Sequence, residues 1–236
     1  MLLLFTFILS SKQLIAVEET LLLRAGFSAG KGTIRSKNIN FTADGSTTST
    51  NNNDDDDNIK HYGINSQFGY KWVNWELLAG SHITFSKVEN LRFKAGNDRF
   101  YGSGSYKNVT INPLVKYITP WAPVNNWRFY LSTGPVWAIQ TIKLKNFQSN
   151  TNLIRGKFKL TYESFGTTLS FGIEEQAPYK EMHPVYLEVT FFATESYKVS
   201  VVDTSDFART NILTDSSSDK DIENYGFVIT MGLTLF

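Results

Sequence analysis

The sequence predicts an all-β fold, an eight-stranded antiparallel up-and-down transmembrane β-barrel over residues 17–236, with an export signal over residues 1–16 ahead of it. Three observations predict this. Eight segments alternate apolar and polar residues with a period of two, the mark of strands with two unlike faces. The connections between them alternate between long and short. Tryptophans gather at the first two short connections.

Composition narrows the class first. A chain of 236 residues can hold one barrel or one to two ordinary domains. The net charge of +1 provides no basic field for nucleic acid. Cysteine is absent, so no disulfide framework, cysteine-based zinc site or lipid-modified cysteine can form. Aromatics are abundant, with 18 Phe, 11 Tyr and 5 Trp, yet mean hydropathy is −0.21. A helical span needs a run of about 18 or more apolar residues, and none occurs. The apolar content is therefore spread over short or alternating segments. Met1 to Leu9 form an apolar run too short to cross a bilayer, and Ser10, Ser11 and Ala16 supply the small residues expected before cleavage. A buried helix is the other reading of residues 1–16.

The alternating segments justify the strands in order. Residues 21–35 put Leu21, Leu23, Ala25, Phe27 and Ala29 on one face, with Arg24, Gly26, Ser28 and Gly30 on the other. Residues 61–72 set Tyr62, Ile64, Phe68, Tyr70 and Trp72 against Gly63, Asn65, Gln67, Gly69 and Lys71. Residues 75–87 set Trp75, Leu77, Ala79, Ile83 and Phe85 against Glu76, Gly80, His82, Thr84 and Ser86. Residues 106–119 place Val109, Ile111, Pro113, Val115 and Tyr117 opposite Thr110, Asn112 and Lys116. Residues 127–142 place Trp127, Phe129, Leu131, Trp137 and Ile139 opposite Arg128, Ser132, Gly134 and Gln140. In 158–174, Phe165, Leu169, Phe171 and Ile173 oppose Gly166, Ser170, Gly172 and Glu174. In 185–198, Val185, Leu187, Val189 and Phe191 oppose Glu188, Thr190 and Thr194. Residues 225–236 close the series with Phe227, Ile229, Met231, Leu233 and Leu235 on one face.

Each segment spans about ten residues or more, enough to cross a membrane at the tilt of a barrel strand. Strands of a soluble sandwich are shorter, about five or six residues. The connections, 36–60, 73–74, 88–105, 120–126, 143–157, 175–184 and 199–224, run long and short in turn. Barrels of the bacterial outer membrane have short periplasmic turns and longer outer loops. Trp72, Trp75, Trp121 and Trp127 fall at the first two short turns, as an interfacial aromatic girdle would. A lipocalin-like barrel also has eight up-and-down strands. Its apolar face turns inward, however, and it lacks long loops confined to one end.

NPLVKYITPW (112–121), WRFYLSTGPVWAIQ (127–140) and SFGTTLSFGIEE (164–175) resemble the fourth, fifth and sixth strands of small outer-membrane barrels of the OmpA/OmpW-like and opacity-protein type. The closing YGFVITMGLTLF, ending at Phe236, is similar to the signal read by the barrel-assembly machinery in such proteins. Counting back from Phe236, the positions that are usually apolar hold Thr234, Gly232 and Thr230. Either a bulge resets the frame or this chain end is shifted by one residue. The resemblance implies Sec-dependent export to the outer membrane and contact with its lipid and lipopolysaccharide. A monomer without cofactor is expected.

The residues that might carry chemistry lie mainly on the polar face. Arg24, Lys71, Glu76, Lys116, Arg128, Glu174 and Glu188 should all point inward near the short-turn end. A charge in a narrow lumen needs a partner or water. The set therefore reads as an ion-pair network that plugs the barrel, or as a charged constriction for solutes. His82 is expected inward, above Glu76, as a hydrogen-bonded lumen residue. Adjacent Ser81 points to the opposite face, so the two cannot form a nucleophile–base pair, and Ser66 or Ser86 would approach only through strand tilt. No catalytic residue and no resident metal site is expected. Asp54, Asp55, Asp56 and Asp57 could gather a divalent cation in a polar, disordered loop over 42–58, but their spacing is not that of a formed calcium loop. The polar connection 201–224 carries an apolar patch at Phe207, Ile212 and Leu213. The expected role is structural or surface-interacting. The alternatives are a narrow OmpW-like channel for small apolar solutes and a lipid-modifying barrel enzyme. Few large apolar residues are expected inward, namely Leu78, Leu114, Val136 and Phe192.

Overall fold

The computed structural model describes residues 20–36, 41–43, 46–48, 56–95, 98–122, 126–149, 156–176, 183–203 and 222–235; at several strand ends and in the small hairpin only the backbone is described. The strands are β1 (Thr20–Ser36), β2 (Phe41–Ala43), β3 (Ser46–Thr48), β4 (Asp56–Trp72), β5 (Trp75–Ala95), β6 (Asp98–Ile118), β7 (Trp127–Ser149), β8 (Gly156–Glu175), β9 (Val185–Asp203) and β10 (Ile222–Thr234). Eight of them close a barrel in the order β1-β10-β9-β8-β7-β6-β5-β4, every neighbouring pair antiparallel. β2 and β3 form a separate two-stranded hairpin within the first long connection. Closure removes every free edge from the barrel sheet.

The two faces separate as the alternation requires. Phe27 (79% exposed), Met231 (63%), Ile111 (61%), Phe68 (54%) and Phe171 (50%) point out of the barrel, and Arg24, Glu76, Lys116, Gln140 and Tyr162 are buried in its lumen. This chain is apolar outside and polar inside.

Strand starts at the short-turn end match the sequence reading closely, whereas the other ends run further than expected. β5 reaches Ala95 and β6 begins at Asp98, so most of 88–105 is strand rather than loop. β7 likewise continues to Ser149, and β4 begins at Asp56, inside the stretch expected to be disordered. β9 extends to Asp203 and β10 begins at Ile222, so the last connection is shorter than 199–224. The physical reason is that beyond the apolar band both faces meet water, so pairing persists after the alternation that reveals it has faded.

The closing strand keeps its shifted frame. Both ladders of β10, with β1 and with β9, run without a register shift, so no bulge resets it within the described pairs. Leu233, Met231 and Ile229 are exposed, and Thr234 and Thr230 are buried in the lumen. Phe236 and residues 1–16 lie outside the described residues. The turn 73–74 between β4 and β5 holds Val73 at φ 52°. That left-handed conformation is rare for a β-branched residue, and two-residue hairpins of this kind ordinarily place Asn or Gly there.

Candidate functional site in the lumen

Inward positions from all eight barrel strands build the lumen. Near the short turns, Arg24 of β1 donates from Nη1 to Glu76 Oε2 at 2.7 Å and from Nη2 to Glu76 Oε1 at 3.0 Å. Nη2 also reaches Glu174 Oε2 at 2.7 Å, and Nε donates to Thr234 Oγ1 at 3.1 Å. Lys116 of β6 donates to Glu174 and lies 3.3 Å from Glu76 Oε2. The four side chains come from β1, β5, β6 and β8, and none is more than 4% exposed. Two cations and two carboxylates cancel, and the planar guanidinium fork spans both acids, as lysine could not. Tyr130 covers the ammonium, whose Nζ lies 3.6 Å from the ring centroid, and the Arg24 guanidinium sits 5.8 Å from the Tyr186 ring. Gly172 makes room for this, because a Cβ there would run into the Tyr130 ring. Leu22, Leu78 and Leu114 pack together as a small apolar cluster.

Of the other inward charges, Glu188 accepts from Thr190 Oγ1 at 3.0 Å and from the Tyr130 hydroxyl. Lys71 and Arg128 are half-buried and lie across from Glu76 and Glu174 in the strand register. Neither forms an ion pair among the described residues. The structure thus brings together four of the seven expected charges, sets Glu188 beside them, and leaves two cations at the margin.

A second polar layer, free of charge, lies toward the long connections. Gln140 Oε1 accepts from Tyr106 Oη at 2.5 Å, Tyr162 Oη at 2.8 Å and Asn224 Nδ2 at 2.6 Å. Its Nε2 donates to Ser164 Oγ at 3.3 Å. Ile34, Ile59, Ile142 and Ile222 are the next inward residues on their strands and are fully buried. Between the layers lies a cavity of about 50 Å³, lined among others by Asn65, His82, Thr84, Asn108, Thr168 and Phe192. It is large enough for a few water molecules at most. Asn65 Oδ1, Thr84 Oγ1, Asn108 Oδ1 and both nitrogens of His61 are buried and meet no protein partner.

His82 lines this cavity and meets Ser28 of β1, with Oγ and Nε2 2.5 Å apart. Ser28 was placed on the inward face by the alternation, but its partner was not foreseen, because β4 lies between the two strands. Gly63 of β4 lets them meet: a Cβ there would close on His82 Nε2 and the Thr84 methyl. Ser66 and Ser81 pair across β4 and β5 on the outer face, and Ser86 Oγ donates to the Lys87 carbonyl at 3.1 Å. Glu76 is held by Arg24 and Lys116, so no carboxylate of that set orients the imidazole. His61 is buried against the rings of Tyr106 and Phe192, and His183 is exposed beside β9.

The expectation of few large inward apolar groups needs correction. Tyr106, Tyr130, Tyr162 and Tyr186 all fill the lumen, as do Leu22, Ile34, Ile59, Ile118, Ile142 and Ile222. Their parity along the strands carried the signal, since Tyr130 sits between outward Phe129 and Leu131. On the outer surface at the short-turn end, Tyr70 stacks with Trp72 with ring centroids 6.5 Å apart, and the tilted pairs Trp75–Tyr117 and Trp121–Phe129 lie 4.8 Å and 5.4 Å apart. Trp127 is half-buried at the start of β7. Asp54 and Asp55 lie outside the described residues. Asp56 and Asp57 begin β4 opposite Arg35 and Ile34, with only their backbone described.

No family model and no curated protein matches the chain. Among solved structures it is similar to the outer membrane protease OmpT from Escherichia coli, at 12% identity over 95% of this chain and 99% of that one, with a TM-score of 0.44. It is also similar to the outer membrane protein OprG from Pseudomonas aeruginosa, at 13% identity over 91% and 93%, with a TM-score of 0.42. Neisserial surface protein A aligns at 12% identity over 89% and 96%, with a TM-score of 0.40. The chain's own architecture is a closed eight-stranded antiparallel barrel, apolar outside and ion-paired within.

Proposed function

We propose that this protein is an integral barrel of the bacterial outer membrane whose lumen is plugged and whose role is structural or surface-interacting. A single observation carries the reading: a closed barrel keeps its charges inside and exposes Phe, Leu, Ile and Trp around its circumference. Contiguous apolar surface of that extent is unstable in water and suits hydrocarbon. The strands are long enough to cross, at about 9–11 residues per span. The connections 37–55, 96–97, 150–155 and 204–221 join strands at one end of the barrel, and the two long ones among them would give it a loop-bearing surface for contacts outside the cell. Closure without a free edge supports a monomer, and the aromatic pairs at the short turns support an interfacial belt.

The plug favours anchoring over transport. The Arg24–Glu76–Lys116–Glu174 cluster and the Gln140 layer both cross the lumen, and an eight-stranded interior is just filled by side chains. Purified protein should refold into phosphatidylcholine vesicles with a heat-modifiable shift on gels, and should give no steady conductance in planar bilayers. Failure to insert would remove the membrane reading. Stable, ion-selective openings would remove the plug and support the channel alternative. Labelling of Ser28 by a serine-reactive fluorophosphonate would bring back a hydrolytic role.

A further inference from the structure

The cavity between the two layers carries a charge that neither layer answers. Glu188 of β9 lines it, and no Lys, Arg or other carboxylate is among the described residues of its wall. The side chain is 4% exposed and forms no ion pair among the described residues. The Arg24–Glu76–Lys116–Glu174 cluster cannot serve it, since two cations and two carboxylates already cancel there. Lys71 and Arg128 stand at the short-turn margin and are not part of the cavity wall. The hydrogen bonds that Glu188 accepts come from neutral hydroxyls. Thr190 Oγ1 donates at 3.0 Å, and Ser170 Oγ, 2.9 Å from Thr190 Oγ1, must donate in turn to that oxygen. This chain of hydroxyls points at the carboxylate, as suits an acceptor with no proton of its own.

The same wall is rich in oxygens that meet no protein partner. Thr84 Oγ1 and Asn108 Oδ1, on cross-strand partners of β5 and β6, are both unmet, and so is Asn65 Oδ1 of β4. Thr84 and Asn108, like Glu188, are more than nine-tenths buried and line the cavity. Thr230 Oγ1 is unmet as well, on the residue directly across from Glu188 in β10. An amide oxygen can only accept, so these groups call for a donor or a cation. Water could bond to each of them, yet it would leave the Glu188 charge uncancelled in a closed lumen. A cation meets both demands.

We infer that the cavity binds one alkali-metal cation, sodium or potassium, balanced by Glu188 and held by the oxygens of Asn65, Thr84 and Asn108 with trapped water. The inference goes beyond an anchoring role and rests on the plugged lumen proposed above. One carboxylate among neutral oxygens matches a single positive charge, whereas calcium sites gather several carboxylates. The volume of about 50 Å³ takes an ion with a water or two and excludes an organic cation. His82 does not favour a transition metal, because its Nε2 is engaged by Ser28 Oγ at 2.5 Å.

The test uses the full chain, refolded in neutral detergent and unfolded in urea, with sodium, potassium or N-methyl-D-glucamine as the chloride salt at one ionic strength. Sodium or potassium should raise the folding equilibrium constant of wild type in proportion to 1 + [cation]/Kd, a gain of about tenfold where the cation reaches about nine times Kd. The E188Q variant, which keeps the shape and removes the charge, should lose that dependence. The E163Q variant should keep it, since that carboxylate lies on the outer face and accepts from Lys198 Nζ at 3.0 Å and Tyr197 Oη at 3.1 Å. Wild type indifferent to the cation, E188Q as responsive as wild type, or a larger response to equimolar calcium would each overturn the proposal. Thallous ion, which substitutes for potassium, provides a reading that needs no variant. Crystals of wild type grown with thallous acetate should show an anomalous peak in the cavity, and a cavity holding water alone would refute the site. Conductance in planar bilayers is scored separately. A closed barrel without a cation refutes the site alone, and one with steady currents refutes the plug beneath it.

Discussion

The two polar layers of the lumen close the same barrel by different chemistry. The layer near the short turns is ionic, with Arg24 spanning Glu76 and Glu174 while Lys116 reaches the same two acids. The layer near the long connections is neutral, with a single amide oxygen of Gln140 gathering three donors. Both satisfy buried polar groups, but they differ in what a lost partner leaves behind. Removing a member of the ionic layer strands a buried charge, whereas removing one from the neutral layer strands a dipole.

The largest expected effect therefore belongs to Arg24→Met, which leaves Glu76 and Glu174 with Lys116 alone. Urea titration of the vesicle-refolded protein should show a loss of about 3–5 kcal/mol. A loss no greater than that of an exposed substitution would mean that water reaches the cluster and the plug is porous. Gln140→Leu comes next. It deprives Tyr106, Tyr162 and Asn224 of their common acceptor and should reduce stability by about 1–3 kcal/mol in the same titration. If it matched Arg24→Met, the distinction between the layers would fail.

Replacing all four charges together, as Arg24→Met, Glu76→Gln, Lys116→Met and Glu174→Gln, should recover most of the Arg24→Met loss, since an ion cluster exchanged whole for neutral groups is often nearly neutral in stability. Its conductance sharpens the comparison further. A barrel that stays closed without the charges owes its closure to the neutral layer, and one that opens owes it to the ions. The smallest effect should come from Glu163→Gln on the outer surface, where solvent screens the pair with Lys198. Unfolding curves of this variant and wild type should differ at most slightly at neutral pH.

The barrel was legible because alternation reports which face meets hydrocarbon, and Phe27, Phe68, Ile139 and Met231 each obey it. The strand extensions past Lys87, Lys143 and Lys198 were not legible, since beyond the belt neither face must be apolar. The inward charges could be placed by parity, but their pairing could not. Arg24 and Glu174 are 150 residues apart and sit on strands separated by β10 and β9, and only the stagger of the closed sheet brings them together. The Ser28–His82 contact was hidden similarly, by a missing side chain at Gly63 rather than by any feature of Ser28. The inward tyrosines were not legible because an aromatic residue in an alternating strand suits the lipid face as well as the lumen. Tyr106 and Tyr162 instead use their hydroxyls in the neutral layer.

A membrane-spanning, plugged barrel must hold its outer face in lipid while its lumen stays closed. The chain has no cysteine, so single labels can be placed without removing any. Nitroxide labels on Phe171→Cys, in the belt, and on Lys159→Cys, beyond it on the same strand and face, can be compared in vesicles by collision with molecular oxygen and with an aqueous nickel chelate. The label at 171 should collide with oxygen and be shielded from nickel, while that at 159 should be open to nickel. A label at 171 as accessible to nickel as the one at 159 would contradict a membrane-spanning barrel.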